Sequence, residues 1–182
     1  MDEGPSRWRH RFQMRYRFKV SWRISTFGVI ALSFVAAAHA QAVRSETLFA
    51  RGHWAALKFG QQCVAEARPL LPAAKRQPEA RAGFSFIAGR GEFHARLSRM
   101  PRPGSSVMLT IKDRPFMLVV RGDWAWSSEP VQDAAIITAA RGAQSMRIEA
   151  RDGFGRRFVD RYLLDGAPTA IDAAAAGCLK TN

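Results

Sequence analysis

The chain has 182 residues, of which 28 are Lys or Arg and 15 are Asp or Glu, so its formal charge is +13. This length suits one domain, and an apolar content of 47% excludes a chain that is disordered throughout. The two cysteines are too few for a cysteine-dense scaffold or for a zinc site made of cysteines alone.

Residues 1–40 have the three parts of a secretory signal peptide. Seven basic residues lie within positions 1–23, twelve uncharged residues follow at 27–38, and small residues stand on both sides of His39. We therefore expect cleavage after Ala40. The alternative is a membrane anchor, but a spanning helix needs about 20 apolar residues and this run is shorter. Because Met14 lies inside the long basic head, we also hypothesise that translation starts there.

After a polar leader at 41–51, the pattern predicts a single β-rich domain over residues 52–182. Apolar alternation and turn signals divide this domain into short strands. The strands are expected at residues 52–58, 62–67, 82–88, 92–98, 107–112, 115–121, 124–127, 145–150 and 157–164. The clearest hairpin joins the strands at 82–88 and 92–98 through Gly89-Arg90-Gly91.

Two Ala-rich segments predict helices. One short internal helix is expected at 133–141, after a break at Pro130, and Gly142 would end it. A second helix is expected near the C-terminus, with Thr169 as its N-cap and Gly177 at its end. The fold class is therefore mainly β: an antiparallel β-sandwich or curled sheet, with the C-terminal helix packed on it.

Export would lower the net charge of the mature chain and place its cysteines in an oxidising compartment. Residues 1–40 hold seven basic and two acidic residues, so cleavage leaves 142 residues with a formal charge of +8. We expect a periplasmic or secreted monomer that has no nucleic-acid partner and meets the membrane only through its signal peptide. In an oxidising compartment the pair Cys63 and Cys178 predicts a disulfide, whereas a catalytic thiol is the alternative for either residue.

The layout resembles the invasion-associated locus B family of small exported alphaproteobacterial proteins. The resemblance rests on the signal peptide, on Gly52-His53-Trp54, on Cys63 nine residues after that Trp, on the Phe-rich hairpin and on the helix that follows Gly166. Family members usually open with Gly-Asp-Trp and carry more cysteines, and here Gly122-Asp123-Trp124 falls in mid-chain instead. The resemblance implies a β-sandwich with an envelope or host-contact role, and it supplies no catalytic residues.

One predicted strand face concentrates basic side chains. Strand alternation places Arg90, His94 and Arg96 on the side opposite Phe93 and Leu97. Arg99 and Arg102 follow just beyond the strand. This set is a candidate site for an anionic envelope component such as lipopolysaccharide, acidic lipid or acidic glycan, and the alternative is an ordinary solvated face.

Trp124 and Trp126 share one face of a short predicted strand. If they are exposed, they form an aromatic surface for a glycan or a protein partner, and if they are buried, they belong to the core.

No pattern points to catalysis or to a bound metal. Neither His53 nor His94 has a second ligand at the close spacing of zinc sites, and no Gly-x-Ser-x-Gly motif occurs. We therefore expect no cofactor, no metal and no enzymatic activity. The sequence favours an exported, disulfide-bridged protein that binds an anionic envelope component or a partner protein. The alternatives are a structural or stress-related envelope protein without a specific ligand, and a hydrolase whose site the sequence does not display.

Overall fold

The computed structural model describes residues 45–71 and 79–179, in which ten β-strands and two α-helices form. The strands are β1 (Ser45–Arg51), β2 (Trp54–Phe59), β3 (Gln62–Ala67), β4 (Arg81–Ile87), β5 (Arg90–Arg96), β6 (Val107–Ile111), β7 (Arg114–Arg121), β8 (Trp124–Trp126), β9 (Ser145–Arg151) and β10 (Arg157–Leu163). The helices are α1 (Pro130–Arg141) and α2 (Ala167–Gly177). Neither of these helices is long and apolar enough to cross a membrane. The signal peptide, its cleavage after Ala40 and the start at Met14 lie outside the described residues.

All ten strands belong to one antiparallel sheet, in the order β1-β2-β3-β4-β5-β8-β7-β6-β9-β10. The sheet curls until its two ends approach each other. The Trp54 indole N–H on β2 donates to the Leu163 carbonyl on β10 over 2.8 Å, and the Ser98 backbone N–H after β5 donates to Asp160 on β10 over 2.9 Å. Within the described residues β1 and β10 are not paired, so the sheet stays open. The prediction of a mainly β, curled antiparallel fold is confirmed.

The concave, inner face of this sheet holds the core. Trp54 stacks on Phe84 with ring centroids 6.4 Å apart, and Phe84 meets Phe93 edge-on at 5.6 Å. Helix α2 packs against β1 to β4 through small side chains, and α1 packs on β5 and on α2. The buried residues of α2 are Ala167, Ala170, Ile171 and Ala174. Because most of these side chains are short alanines, the helix can lie close to the sheet and bury its apolar surface against it.

Two ionisable groups of β10 also lie on the inner face. Burial raises the pKa of the Asp160 carboxyl, and this effect outweighs the opposing hydrogen bonds that Ser98 donates. Burial likewise raises the pKa of Tyr162, and the negative charge of Asp160 adds to that effect. The Tyr162 hydroxyl has no hydrogen-bond partner within the part of the chain that the structure describes.

The polar leader expected at 41–51 is wrong for residues 45–51, which form the edge strand β1. This strand pairs with β2 from Ser45 opposite Phe59 to Arg51 opposite Trp54, with an irregularity between Thr47 and Phe49. An edge strand has a neighbour on one side only, so polar residues are tolerated and the core pattern that marks a central strand is absent. A bulge is a common feature at such an edge.

Both helices begin earlier than the sequence predicted. Helix α1 starts at Pro130, three residues before the expected start, because proline is favoured in the first turn, where its missing N–H leaves no bond unmade. Helix α2 starts at Ala167 after Gly166, whose φ of 87° suits glycine. Thr169 therefore lies inside the helix and is not its N-cap.

Candidate functional site

The predicted disulfide between Cys63 and Cys178 is present. The two Cα atoms lie 5.7 Å apart and no described cysteine is free. Cys63 is fully buried on the inner face of β3, and Cys178 follows the last turn of α2. A side chain at Gly177 would come within 3.3 Å of the Cys63 sulfur and 2.5 Å of a Leu48 methyl group, so a larger residue beside the bridge would have to displace the Leu48 side chain. The bond fixes the end of α2 to the sheet and consumes both thiols, so neither serves as a nucleophile.

The convex side of the sheet, opposite the helices, carries two adjacent rows of side chains that we call the outer face. The first row runs across β4, β5, β8 and β7 and consists of Arg81, Arg96, Trp124 and Arg121. The second row runs from β3 to β7 and consists of Glu66, Gly83, His94, Trp126 and Val119. Strand alternation places both rows on one side, since matching members are two residues apart on each strand.

A contact between Glu66 and His94 lies at the β3 end of the outer face. The Glu66 carboxylate lies 3.0 Å from Nε2 of His94, although β4 separates their strands. Gly83 is the residue of β4 in register between them, and it has no side chain to obstruct the contact. Arg81 approaches the other carboxylate oxygen of Glu66 at 3.6 Å.

The surroundings favour the ionised form of Glu66. Burial raises the pKa of this carboxyl, but the hydrogen bond and charge of His94, together with those of Arg81, outweigh it and hold the pKa below its ordinary value. The His94 side chain is only 9% exposed, and its Nδ1 has no hydrogen-bond partner in the described residues. His94 is thus part of the internal structure of this face.

Trp124 and Trp126 form an aromatic shelf on the outer face. Their ring centroids are 6.4 Å apart with an angle of 18° between the ring planes, and both side chains are partly exposed, whereas Ala125 between them is buried. The His94 ring lies 6.1 Å from Trp124. The choice between core and surface that the sequence left open is thus resolved in favour of a half-buried surface pair.

Arginines stand on both sides of Trp124. It is the register partner of Arg96 on β5 and of Arg121 on β7. Arg96 donates through Nε to Asp123 over 2.9 Å, which holds its guanidinium beside the shelf. Arg121 is exposed and makes no ion pair within the described ranges. An aromatic ring with a cation on either side can accept the apolar face of a ligand and its negative groups together.

The structure does not gather the five basic residues singled out in the sequence into one exposed cluster. Arg90 and Arg96 lie at opposite ends of β5, about 20 Å apart at the usual strand rise. Arg99 is 3.4 Å from Asp152, and Arg102 lies exposed in the following turn. His94, Arg96 and Arg99 each have a carboxylate partner, so most of this charge is locally compensated.

Glu66, Arg81, Asp123 and Arg121 belong to the site and were not singled out from the sequence. Alternation along β4 and β7 could have placed the two arginines on the outer face. The carboxylates become neighbours of His94 and Arg96 only through the strand register, which sequence patterns leave open.

No group of three or more His, Cys, Asp or Glu side chains that could hold a metal ion occurs in the described ranges. His53, the second histidine after residue 40, lies exposed at the turn between β1 and β2.

No protein-family model matches the chain, and no curated protein sequence matches it. Among solved structures, the fold is similar to the crystal structure of invasion associated protein b from Bartonella henselae. The TM-score is 0.56 at 12% sequence identity, and the match covers 72% of this chain and 96% of that chain. A likeness at this identity shows a common fold, so the resemblance to invasion-associated locus B proteins is supported at the level of the fold.

Proposed function

We propose that this chain is an exported, non-enzymatic binding protein of the cell envelope or of the host-contact surface, and that its outer face binds an anionic glycan. The observation that carries the proposal is the shelf of Trp124 and Trp126 with Arg96 and Arg121 on either side of Trp124. The C–H faces of sugar rings pack on indole rings, and guanidinium groups pair with carboxylate or sulfate substituents.

Three further features support export and a binding role. The basic head, apolar run and Ala-x-Ala end of residues 1–40 are typical of a signal peptide. A buried disulfide is common in proteins of oxidising compartments and rare in the cytosol. The similar Bartonella protein is described as invasion associated, which is compatible with a role at the cell surface.

The partner arrangement on the outer face favours a preformed site. Arg96 is held by Asp123, and His94 by Glu66, so little side-chain freedom is lost when a ligand arrives. Arg121 remains available to pair with the ligand. Because its charge is exposed, we expect its contribution to fall steeply as salt rises, with a screening length of about 8 Å at physiological ionic strength.

The test is retention of the periplasmic protein on immobilised heparin, a sulfated glycan probe. Arg121→Ser should elute at clearly lower salt than the parent chain, and a double change of Trp124 and Trp126 to Ala should lower retention further. Arg161→Ser is the matched control, since Arg161 is also exposed but lies on β10, outside the two rows. If Arg161→Ser and Arg121→Ser weaken retention equally, only general basicity is at work and the proposal fails.

A structural envelope role without a ligand is the second candidate. It is favoured by the carboxylate partners of His94, Arg96 and Arg99, which leave less free charge than the sequence suggested. Under this alternative the parent protein and all three variants would elute from heparin together.

A further inference from the structure

Strand β5 is paired along only part of its second edge. Strand β8 has three residues and covers His94 to Arg96, so within the described residues the first half of β5 has β4 on one side and no strand on the other. A cleft of about 890 Å³ lies along this uncovered edge, between β5 and the first turns of α1. This volume is within the range of ligand-binding pockets.

Near the uncovered edge, the backbone N–H and carbonyl of Phe93 are hydrogen-bonded within the protein. The Phe93 backbone N–H donates to a carboxylate oxygen of the buried Asp133 over 2.7 Å, and the Phe93 carbonyl accepts from the Ser127 backbone N–H over 3.4 Å. The Ser127 hydroxyl donates to the same carboxylate. Asp133 and Ser127 thus supply the hydrogen-bond partners of the Phe93 backbone that a longer β8 would have supplied.

Gly91 is the next residue whose backbone points the same way. Backbone N–H and carbonyl groups alternate along a strand, so the groups of Gly91 point to the side that those of Phe93 point to. The β4–β5 hairpin gives the same answer. Its two-residue turn, Ala88 and Gly89, has φ values of 52° and 78°, which makes Ile87 and Arg90 the hydrogen-bonded closing pair and turns Gly91 away from β4. Gly91 also lines the cleft.

The walls of the cleft suit an extended chain with apolar and basic side chains. The apolar lining includes Pro130, Ile137 and Ile87, and Ile87 is 56% exposed. The carboxylates of Glu92 and Glu129 also line it and make no ion pair within the described ranges, against one basic residue, Arg90. On a chain of strongly positive charge, this local excess of carboxylates favours a ligand with a basic side chain.

We propose that this cleft binds a short extended segment of a partner protein, in which a Lys or Arg stands between apolar residues. The segment adds a strand to β5, exchanging main-chain hydrogen bonds with Gly91, while its basic side chain reaches Glu92 and Glu129. In this mode of recognition main-chain hydrogen bonds supply affinity and alternate side chains supply specificity. The site is separate from the outer-face shelf and is independent of the proposed glycan binding.

The test uses the periplasmic protein and the labelled peptide acetyl-Val-Lys-Val-Lys-Val-amide, with binding followed by anisotropy and by amide NMR. We expect saturable binding that shifts the Gly91 amide signal and leaves the indole signals of Trp124 and Trp126 in place. The same peptide with its central amide N-methylated should lose binding, because a main-chain donor is removed. A peptide with Glu in place of Lys should bind much more weakly.

Variants of the cleft separate charge pairing from folding. Glu92→Gln and Glu129→Gln should each weaken binding by about two- to fivefold, since exposed ion pairs are individually weak. Glu46→Gln, an exposed carboxylate on β1, is the matched control and should change nothing. The proposal is overturned if the Lys peptide does not bind, if N-methylation has no effect, if the Glu peptide binds equally well, or if the shifted signals lie on the outer face.

Discussion

Glu66 and His94 form a 3.0 Å contact across Gly83, although they lie on strands that are not neighbours in the sheet. Gly83 lies between them on β4, and because it has no side chain, nothing from β4 stands between the carboxylate and the imidazole. This contact and Arg81 together organise one end of the outer face.

The first prediction is that the Glu66 pair stabilises the protein at neutral pH and ceases to do so in acid. The pKa of Glu66 is lower in the folded protein than its ordinary value of 4.5. The stabilisation is therefore fully present above about pH 4.5 and is lost as the pH falls through the folded pKa.

Urea unfolding of Glu66→Gln at pH 7 and at pH 3 measures this effect. The variant should have a lower midpoint than the parent protein at pH 7, and the gap should narrow at pH 3. The exposed Glu46→Gln is the control and should leave the midpoint unchanged at both pH values. A gap of the same size at both pH values would contradict the assignment.

The second prediction concerns the residue that separates the pair. A Cβ at Gly83 would overlap the Ala65 carbonyl and lie 2.8 Å from the Glu66 Cα, and both are backbone atoms that yield little. We expect Gly83→Ala to lower the free energy of unfolding by about 1–3 kcal/mol, as overpacking usually does. The control is Gly142→Ala, where a Cβ would meet no atom within 4 Å. Equal effects of the two changes would rule out the steric role of Gly83.

Much of the fold follows from the sequence because its signals are local. The alternating apolar residues Phe84 and Phe86, and Phe93 and Leu97, marked the hairpin of β4 and β5, and the chain's two cysteines marked the disulfide. The outer face depends on pairing between distant segments. Trp124 lies opposite Arg96 because β8 pairs with β5, although 27 residues separate the two in the sequence. No periodicity in either segment encodes which strand the other will pair with.

The sequence predictions that were wrong also failed because strand pairing is not encoded locally. Strand β1 is mostly exposed and pairs with a described strand on one side only, so it lacks the apolar alternation of a central strand and a residue pattern alone could not separate it from a leader. His94 and Arg96 alternate like solvated charges, yet the register gives each a carboxylate partner, Glu66 and Asp123. The sequence therefore predicted which strand carries the charges and overestimated how many of them are free.

The third prediction is that Cys178→Ser lowers the free energy of unfolding by about 2–5 kcal/mol, the usual loss for a disulfide of a small exported domain. Helix α2 has eleven residues and is rich in alanine, so by itself it would be marginal in water. Limited proteolysis should therefore cut the variant first within α2. A first cut elsewhere, at an unchanged rate within α2, would show that packing alone holds the helix.

The fourth prediction is that the mature protein begins at Gln41. Edman sequencing of the protein from the periplasmic fraction should read Gln-Ala-Val-Arg-Ser, which follows Ala40. Mass spectrometry of the uncleaved precursor checks the start at Met14, since peptides from residues 2–13 would exclude it. An uncut protein in the cytosol would contradict export and remove the oxidising environment on which the disulfide argument depends.

The fifth prediction is the central one, that an anionic glycan binds on the shelf of Trp124 and Trp126. Residues 41–182 contain three tryptophans, and the third, Trp54, is 2% exposed with its indole N–H bonded to Leu163. The indole signals of ¹⁵N-labelled protein therefore include a built-in reference. Trp124→Phe and Trp126→Phe assign the signals, and uncharged maltohexaose is the control ligand.

Titration of the ¹⁵N-labelled protein with a heparin hexasaccharide, followed through these indole signals, is the most direct measurement. We expect the Trp124 and Trp126 signals to move together and to saturate, the Trp54 signal to stay in place, and the shifts to vanish at high salt. No movement of the Trp124 and Trp126 signals, or equal movement on addition of maltohexaose, would contradict binding of an anionic glycan at the outer face.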